Sequence, residues 1–363
     1  TAFMFAASKG HLKVVKYLFE QCHCATETTN RDGQNAFMIA ASDRHLEVVK
    51  YLFEHCHCST EVTDKDGMTT IMLAVLGGHL EVVKYLFEQC HCSTEVPPKN
   101  GWTAFMFAAS NGHLEVVKYL YEQCYCGTET TNRNGQNAFM FAAFNGHLEV
   151  VKYLFEKCHC ATEVTDKDGM TVFMLAAKNG HLEIVRYLFE QCHCSPKGTS
   201  RDGQNALMFA VSNGHLEVVT YLFKQCHCAT DVAQREGWTA FMLAAKNGHL
   251  EVVNYLFEPC HCSTDVAQKD GWTAFMFAAS NGNLEVVKYL FEQCHCATET
   301  TNRDGQNAFM IAASTGKLEV VKYLFEHCHY SIEVTDNDGW SAFLLAAKNG
   351  HLEVIKYLVE ECH

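Results

Sequence analysis

The stretch that decides the fold is TAFMFAASNGHLEVVKYLYE, at residues 103–122. Thr103 has the side chain of a helix N-cap, and Gly112 is a typical helix stop. Beyond it, Leu114, Val117 and Leu120 recur at spacings of three, which is helical periodicity and predicts one buried face. The turn formers that follow, TNRNG at residues 131–135, predict a tight turn before the next helix. The sequence therefore predicts two antiparallel helices and a loop.

This pattern returns every 34 residues across all 363 positions. One residue marks the register: His11, His45, His79, His113, His147, His181, His215 and His249 recur, Asn283 and Lys317 take the same place, and His351 restores it. Such periodicity is typical of a solenoid, in which each repeat buries its apolar face against its neighbours. We predict a single continuous array over residues 1–363. Its eleven repeats start at residues 1, 35, 69, 103, 137, 171, 205, 239, 273, 307 and 341.

At these residues the chain resembles the ankyrin-repeat family. The match rests on NGHLEVV at residues 111–117 and on turns such as Asp32-Gly33. The resemblance implies an all-α fold of helix-turn-helix pairs with projecting hairpin loops. It also implies a concave binding face and a role in protein association rather than catalysis. Two departures stand out: the family's Thr-Pro-Leu-His is here Thr-Ala-Phe-Met, and its Gly-Ala-Asp becomes Cys-His-Cys with one residue added.

Composition and charge argue against a membrane span and against a nucleic-acid partner. The chain is 48% hydrophobic, but no apolar run approaches the roughly 18 residues that a membrane span needs. Its formal net charge is −14, and an acidic surface is a poor match for phosphates. We therefore predict no membrane span and no nucleic-acid partner.

The two ends predict self-association. A terminal repeat of a soluble solenoid should carry polar residues on its outward face. Phe3 and Phe5 at one end, and Phe343 and Leu345 at the other, are as apolar as the interior repeats. We therefore expect the chain to be a section of a longer array, or to stack into an extended assembly.

The cysteines carry the chemistry that most needs an explanation. All 20 lie in the recurring Cys-His-Cys motif or its variants, and none lies elsewhere. Three interpretations stay open at this point: a ladder of disulfides, a row of metal sites, and reduced thiols packed at the helix ends. The last is the plainest, because cysteine is often buried as a small hydrophobe.

Geometry decides which disulfides the ladder would contain. Equivalent cysteines of adjacent repeats should lie about 10 Å apart, beyond the roughly 4.4 to 6.8 Å between α-carbons that a disulfide allows. If the motif is extended, its two cysteines are roughly 6.6 Å apart, which brings Cys24 towards Cys56. Cys22 would then pair only with a cysteine of a preceding repeat. Cys362 would face Tyr330, which stands in place of a partner cysteine. The predicted ladder joins Cys24–Cys56, Cys58–Cys90, Cys92–Cys124, Cys126–Cys158, Cys160–Cys192, Cys194–Cys226, Cys228–Cys260, Cys262–Cys294 and Cys296–Cys328.

The spacing of the cysteines supports the metal interpretation less well. A structural zinc usually takes four ligands from cysteine pairs two to four residues apart, whereas each motif offers two sulfurs and one imidazole. Tyr125 replaces the histidine while Cys124 and Cys126 remain, which favours a role for the sulfurs. The alternative site would take zinc or another thiophilic metal. Its candidate ligands are Cys22, His23, Cys24, Cys56, His57 and Cys58.

The remaining motifs predict structure rather than catalysis. Histidines such as His113 stand at a helix start, where a hydrogen-bonding role is expected. Trp102, Trp238, Trp272 and Trp340 follow the turn glycine and are expected on the hairpin loops, with packing against the adjacent loop favoured. We predict a non-enzymatic structural or scaffolding solenoid without a cofactor, part of a long chain or fibre stabilised by the ladder. The alternative is a metal-binding or redox-active array. A ladder would suit an extracellular or other oxidising compartment, since cytosolic thiols stay reduced.

Overall fold

The computed structural model describes residues 1–94, 98, 100–229, 234 and 236–360. Over these residues it contains 22 α-helices and no strand, which confirms the all-α prediction. Each repeat contributes two helices. The first helices are α1 Ala2–Ser8, α3 Ala36–Ser42, α5 Thr70–Leu76, α7 Ala104–Ser110, α9 Ala138–Phe144, α11 Val172–Lys178, α13 Ala206–Ser212, α15 Ala240–Asn247, α17 Ala274–Asn281, α19 Ala308–Ser314 and α21 Ala342–Lys348.

The second helices are longer in most repeats and carry more charge. They are α2 Leu12–Glu20, α4 Leu46–Glu54, α6 Leu80–Glu88, α8 Leu114–Glu122, α10 Leu148–Glu156, α12 Leu182–Glu190, α14 Leu216–Lys224, α16 Leu250–Phe257, α18 Leu284–Glu292, α20 Leu318–Cys328 and α22 Leu352–Glu360. The alternation of short and long helices is the predicted helix-turn-helix solenoid.

The chain divides into two compact units, Thr1–Ala176 and Ala177–His363. Within each unit, first helices pack against the first helices of adjacent repeats and against the second helix of their own repeat. Each unit is therefore a stack of repeats with its core between neighbours. That all eleven repeats form a single continuous array stays a prediction.

The first helices begin and end where their sequence dictates. The Thr103 hydroxyl accepts a hydrogen bond from the Met106 N–H at 3.2 Å, as an N-cap does. After the helix, Gly112 takes φ +74°, and a Cβ there would lie 2.5 Å from Nδ1 of His147. Glycine is required at this position both for its conformation and for the approach of the next repeat's imidazole.

The second helix buries a slightly different face from the one predicted. Val117 and Leu120 are 0% exposed, and Val116 is 2% exposed. Leu114 is only half-buried, so the prediction was wrong at that position. A helix of 3.6 residues per turn places 116, 117 and 120 together, while strict spacing by three drifts around the axis.

The hairpin loops are closed by side-chain and backbone hydrogen bonds. Oδ1 of Asn132 accepts from the backbone N–H groups of Asn134 and Gln136, at 2.9 and 3.0 Å. Neighbouring loops are joined through their backbones, since the Arg133 N–H donates to the Asn100 carbonyl at 3.3 Å. The predicted tight turns are confirmed, and they add a second line of contact between repeats.

Candidate functional site

The cysteine motif forms a turn rather than an extended segment. In the second repeat, α4 ends at Glu54, and His57 takes the left-handed conformation at φ +51°. The Cys58 N–H then reaches back to the Leu52 carbonyl at 3.2 Å. The extended path on which the disulfide geometry depended is therefore wrong, because the left-handed residue folds the chain back onto its own helix.

Both thiols of this motif are buried. Cys56 is 9% and Cys58 is 3% exposed. Burial, helped by the Glu20 carboxylate, raises the pKa of the Cys56 thiol to about 11. Burial, helped by Cys56 and Glu27, raises the pKa of Cys58 to about 12. The thiolate is the nucleophile, so burial disfavours the reactive form of these sulfurs at neutral pH.

The ladder is not formed in this structure. The cysteines that it would join are present as thiols rather than as disulfides, and most of them are buried in the helix ends. Cys362 lies outside the described residues. The cysteines concerned are Cys24, Cys56, Cys58, Cys90, Cys92, Cys124, Cys126, Cys158, Cys160, Cys192, Cys194, Cys226, Cys228, Cys260, Cys262, Cys294, Cys296 and Cys328.

The metal alternative gains no support from the motif. His57 is exposed whereas Cys56 and Cys58 are buried, so the imidazole is not presented with the sulfurs. Throughout the described part of the chain, no group of three or more His, Cys, Asp or Glu side chains could hold a metal ion. The predicted ligand set, Cys22, His23, Cys24, Cys56, His57 and Cys58, is therefore not brought together as a metal site.

The left-handed motif residue predicts a stabilising substitution. A residue other than glycine pays about 1 kcal/mol or more for this conformation. His91 has φ +52° and an exposed side chain, so His91→Gly is expected to raise the free energy of unfolding by about 1 kcal/mol. Urea titration of the purified protein measures this change.

A matched control lies two residues earlier. Gln89 is also exposed, but it is right-handed at φ −105°. Gln89→Gly should therefore lower stability by up to about 1 kcal/mol, because glycine only adds freedom to the unfolded chain. If both substitutions destabilise equally, the left-handed turn is not under strain.

In most repeats, the register histidine joins its repeat to the one before it. Nε2 of His113 donates to the Leu76 carbonyl at 3.0 Å, which confirms the hydrogen-bonding role predicted for it. Asn283, which takes the histidine's place in the ninth repeat, donates to the Lys246 carbonyl at 2.8 Å. This recurring position therefore serves as a structural link in most repeats.

A second link, between tyrosine and glutamate, was missed from the sequence. The Tyr51 hydroxyl donates to the Glu20 carboxylate at 2.8 Å. The same bond joins Tyr85 to Glu54 at 2.8 Å. The signal was available, because Tyr and Glu recur at a separation of 31 residues. Equivalent bonds are Tyr119–Glu88, Tyr153–Glu122, Tyr221–Glu190, Tyr289–Glu258, Tyr323–Glu292 and Tyr357–Glu326.

This tyrosine–glutamate ladder is interrupted at Lys224. Lysine stands there in place of the glutamate, so the buried Tyr255 hydroxyl lacks a carboxylate acceptor and has only a weak contact with the Thr220 side chain, without standard hydrogen-bond geometry. A buried polar group without a partner costs about 1 to 3 kcal/mol. Lys224→Glu is therefore expected to raise the free energy of unfolding by about 1 kcal/mol, as measured in urea.

The control for this substitution removes the lysine without supplying an acceptor. Lys224→Met should give none of the gain, since methionine offers Tyr255 no carboxylate. The converse change, Glu190→Lys, should cost about 1 to 2 kcal/mol by removing the acceptor of Tyr221. Equal stability of the Glu and Met variants would contradict the explanation.

The surface formed by the first helices and the hairpin loops is the other candidate site. It consists of the fifth, eighth and last residues of each repeat, and we call it the first-helix surface. In the first unit, the Trp102 ring lies 5.0 Å from that of Phe107 and 4.0 Å from that of Phe141, between centroids. Trp102, Phe141 and Phe144 line a pocket of about 310 Å³. The tryptophans expected on hairpin loops thus pack on the first helices, half-buried.

A family model that describes three consecutive ankyrin repeats matches the chain five times, at residues 3–97, 89–164, 157–232, 223–300 and 292–363. The chain belongs to the ankyrin-repeat family. Its ankyrin repeats fit the two-helix units and hairpin loops of the structure, and they favour a role in protein association. The comparison with curated proteins gave no match. Among the described helices of this ankyrin chain, none has the length and apolar character needed to cross a bilayer.

Proposed function

We propose that this ankyrin array is a non-enzymatic scaffold that binds partner proteins through its first-helix surface. One observation supports the proposal: this surface differs between repeats in size and charge, whereas the second helices are nearly uniform. The second helix reads LEVVKYLFE in α4, α6, α10 and α18 without a single change. A surface that differs from repeat to repeat on an otherwise uniform frame is suited to recognition.

The differences on this surface are large in size and charge. The eighth residue of a repeat is a serine in six repeats, but leucine, phenylalanine or lysine elsewhere, as at Leu76, Phe144 and Lys246. The last residue is glutamine, methionine or tryptophan, as at Gln34, Met68 and Trp102. Aromatic residues are among those enriched in protein interfaces. Recognition would therefore depend on which repeats a partner touches.

The electrostatic surroundings of the thiols do not favour an enzymatic role. A catalytic cysteine needs a lowered pKa and access to its substrate. Burial raises the pKa of Cys90 and Cys92 to about 12 each. The repeated thiols are better suited to filling the helix ends than to nucleophilic attack.

Site-specific photocrosslinking tests the proposal. A benzophenone amino acid would be placed at Ser212, on the first-helix surface, and separately at Glu285, which is exposed on a second helix. In an extract of the expressing cells, Ser212 should give discrete crosslinked species and Glu285 should not. Crosslinks of equal yield from both positions would contradict recognition by the first-helix surface.

Self-association, the ladder and the metal alternative stay predictions of the sequence. Small-angle scattering would test for an extended assembly, and a discrete monomer would exclude it. Intact mass with and without reductant and chelator would test the other two. A loss of two mass units per disulfide under oxidising conditions would support the ladder, and one metal per motif would support the alternative.

A further inference from the structure

One part of the first-helix surface combines aromatic rings with a cation. In the second unit, the ring of Phe277 lies between two indoles, with centroids 4.3 Å from Trp238 and 5.0 Å from Trp272. Nζ of Lys246 stands 4.7 Å from the Trp238 centroid and 5.9 Å from that of Phe277. We call these four residues the Trp-Lys cluster. Both indoles and the lysine are half-buried, so part of each faces solvent.

Lys246 differs from the lysines of the second helices in its counterion. Lys288 and Lys322 each meet a glutamate of their own helix, at 2.8 and 3.0 Å. Lys246 belongs to none of the ion pairs found among the described residues. Of the helices that pack against α15, the first helices α13 and α17 contain no acidic residue, and the second helix α16 contains one, the exposed Glu251. A half-buried lysine outside these ion pairs is notable in a chain of net charge −14, and the nearby Glu236 and Asp270 pair with Lys269 and Arg303 instead.

The aromatic rings pre-organise the Lys246 side chain for ligand binding. A cation over an aromatic face is held electrostatically, so part of its side-chain entropy is already lost before binding. The ammonium still has three N–H donors to offer. The adjacent indoles present apolar area with a polar N–H at the edge, a common anchor at protein interfaces.

We propose that the Trp-Lys cluster docks an acidic segment of a partner protein. A carboxylate of that segment pairs with Lys246, and a neighbouring apolar side chain lies against Trp272. Adjacent repeats are about 10 Å apart, so the two groups belong about three residues apart on an extended segment. This proposal rests on the proposed function, because it assigns a partner chemistry to one part of the first-helix surface.

A nucleic acid would use the same rings and cation less well. Stacked bases bring a phosphate for every nucleotide, and binding then requires many cations along the groove. The cluster supplies one lysine within a chain of net charge −14. An isolated carboxylate flanked by apolar side chains matches the available charge.

The first unit contains a matched site without the cation. Trp102 and Phe141 have the same sequence relation as Trp238 and Phe277, and their rings are 4.0 Å apart. The residue equivalent to Lys246 is Ser110, whose hydroxyl accepts from Asn145 at 3.0 Å. Gln136 takes the place of Trp272 there, so the molecule offers an internal control with the same indole–phenyl pair, one indole fewer and no charge.

The test measures binding of defined probes to the full chain by fluorescence polarisation. The main probe is a labelled peptide with glutamates at every third position and leucine and phenylalanine between them. Comparison probes are its lysine-for-glutamate analogue and oligodeoxythymidine. We expect the acidic peptide alone to bind, with an affinity that falls as salt is added. Lys246→Gln should weaken binding about tenfold, which is about 1.4 kcal/mol.

Three further variants separate docking from a change in fold. Lys288→Gln, on a second helix, should leave the affinity unchanged, and Trp272→Ala should reduce it. Ser110→Lys in the Lys246→Gln background should restore part of the binding at the matched site, where Gln136 stands in place of the second indole. Circular dichroism and urea midpoints would confirm that each variant is folded.

Several outcomes would overturn the proposal. They are no binding of the acidic peptide, an affinity that Lys246→Gln does not change, and preference for the oligonucleotide. Failure here is distinguishable from failure of the proposed function. If crosslinks from Ser212 persist while the acidic peptide does not bind, the scaffold stands without this site; loss of those crosslinks as well defeats both.

Discussion

In the presence of reductant, raising the pH from about 9 to about 11 is expected to unfold the chain. The buried thiols are protonated in the folded state, whereas an unfolded cysteine ionises near about 8.5. The stability that they contribute is therefore complete below the unfolded pKa of about 8.5. It is lost as the pH rises towards the raised pKa of the thiols in the folded protein. Each such thiol costs about 1.4 kcal/mol per pH unit in that range. Because most repeats contain such thiols, the loss recurs along the array and becomes large beside the roughly 5–15 kcal/mol that stabilises a typical domain.

The cysteines that carry this effect all have a folded pKa raised chiefly by burial. Circular dichroism against pH at fixed urea concentrations measures it. The pKa is about 11 for Cys56 and Cys228, and about 12 for Cys58, Cys90, Cys92, Cys124, Cys158, Cys160, Cys226, Cys294, Cys296 and Cys328.

Substitution of a single motif provides the control for the alkaline transition. Replacing Cys90 and Cys92 together by alanine should reduce the slope of stability against pH by about two protons. Replacing the exposed Cys22 by alanine should leave that slope unchanged. A fold that keeps its urea midpoint up to about pH 11 would show that these thiols are not buried in solution.

Leu120→Ala is expected to lower the free energy of unfolding by about 3 kcal/mol, within the range of about 2 to 5 for buried leucines. Leu120 is 0% exposed, and the cavity would affect both its own repeat and the adjoining interfaces. Equilibrium urea titration measures the change. Glu115→Ala is the control, because Glu115 makes only an exposed ion pair with Lys118 and should cost less than about 0.5 kcal/mol. Similar losses would mean that the buried face is assigned wrongly.

The fold could be predicted from the sequence because its determinants are local and repeated. Caps such as Thr103, breakers such as Gly112 and the apolar periodicity of each helix all act within one repeat. Eleven copies of the same pattern then leave little choice of architecture. The error at Leu114 arose from counting by three where the helix turns by 3.6.

The cysteine site could not be predicted because its path depends on one backbone angle. Cys-His-Cys is compatible with an extended segment or a left-handed turn, and only the second returns the Cys58 N–H to the Leu52 carbonyl. Histidine tolerates that conformation better than most residues, but nothing in the pattern requires it. The same limit applies to the Trp-Lys cluster, since residues as far apart as Trp238 and Phe277 meet only once the repeats are stacked.

The interruption at Lys224 also has a mechanical consequence. In a linear stack, force and unfolding pass from one repeat to the next through nearest-neighbour contacts. The joint between α14 and α16 lacks the tyrosine–glutamate bond that its neighbours possess, and it contains the buried Tyr255 hydroxyl instead. Under tension, unfolding of the second unit should therefore begin at the interface between α14 and α16. The sequence, through Lys224, would then determine where unfolding starts.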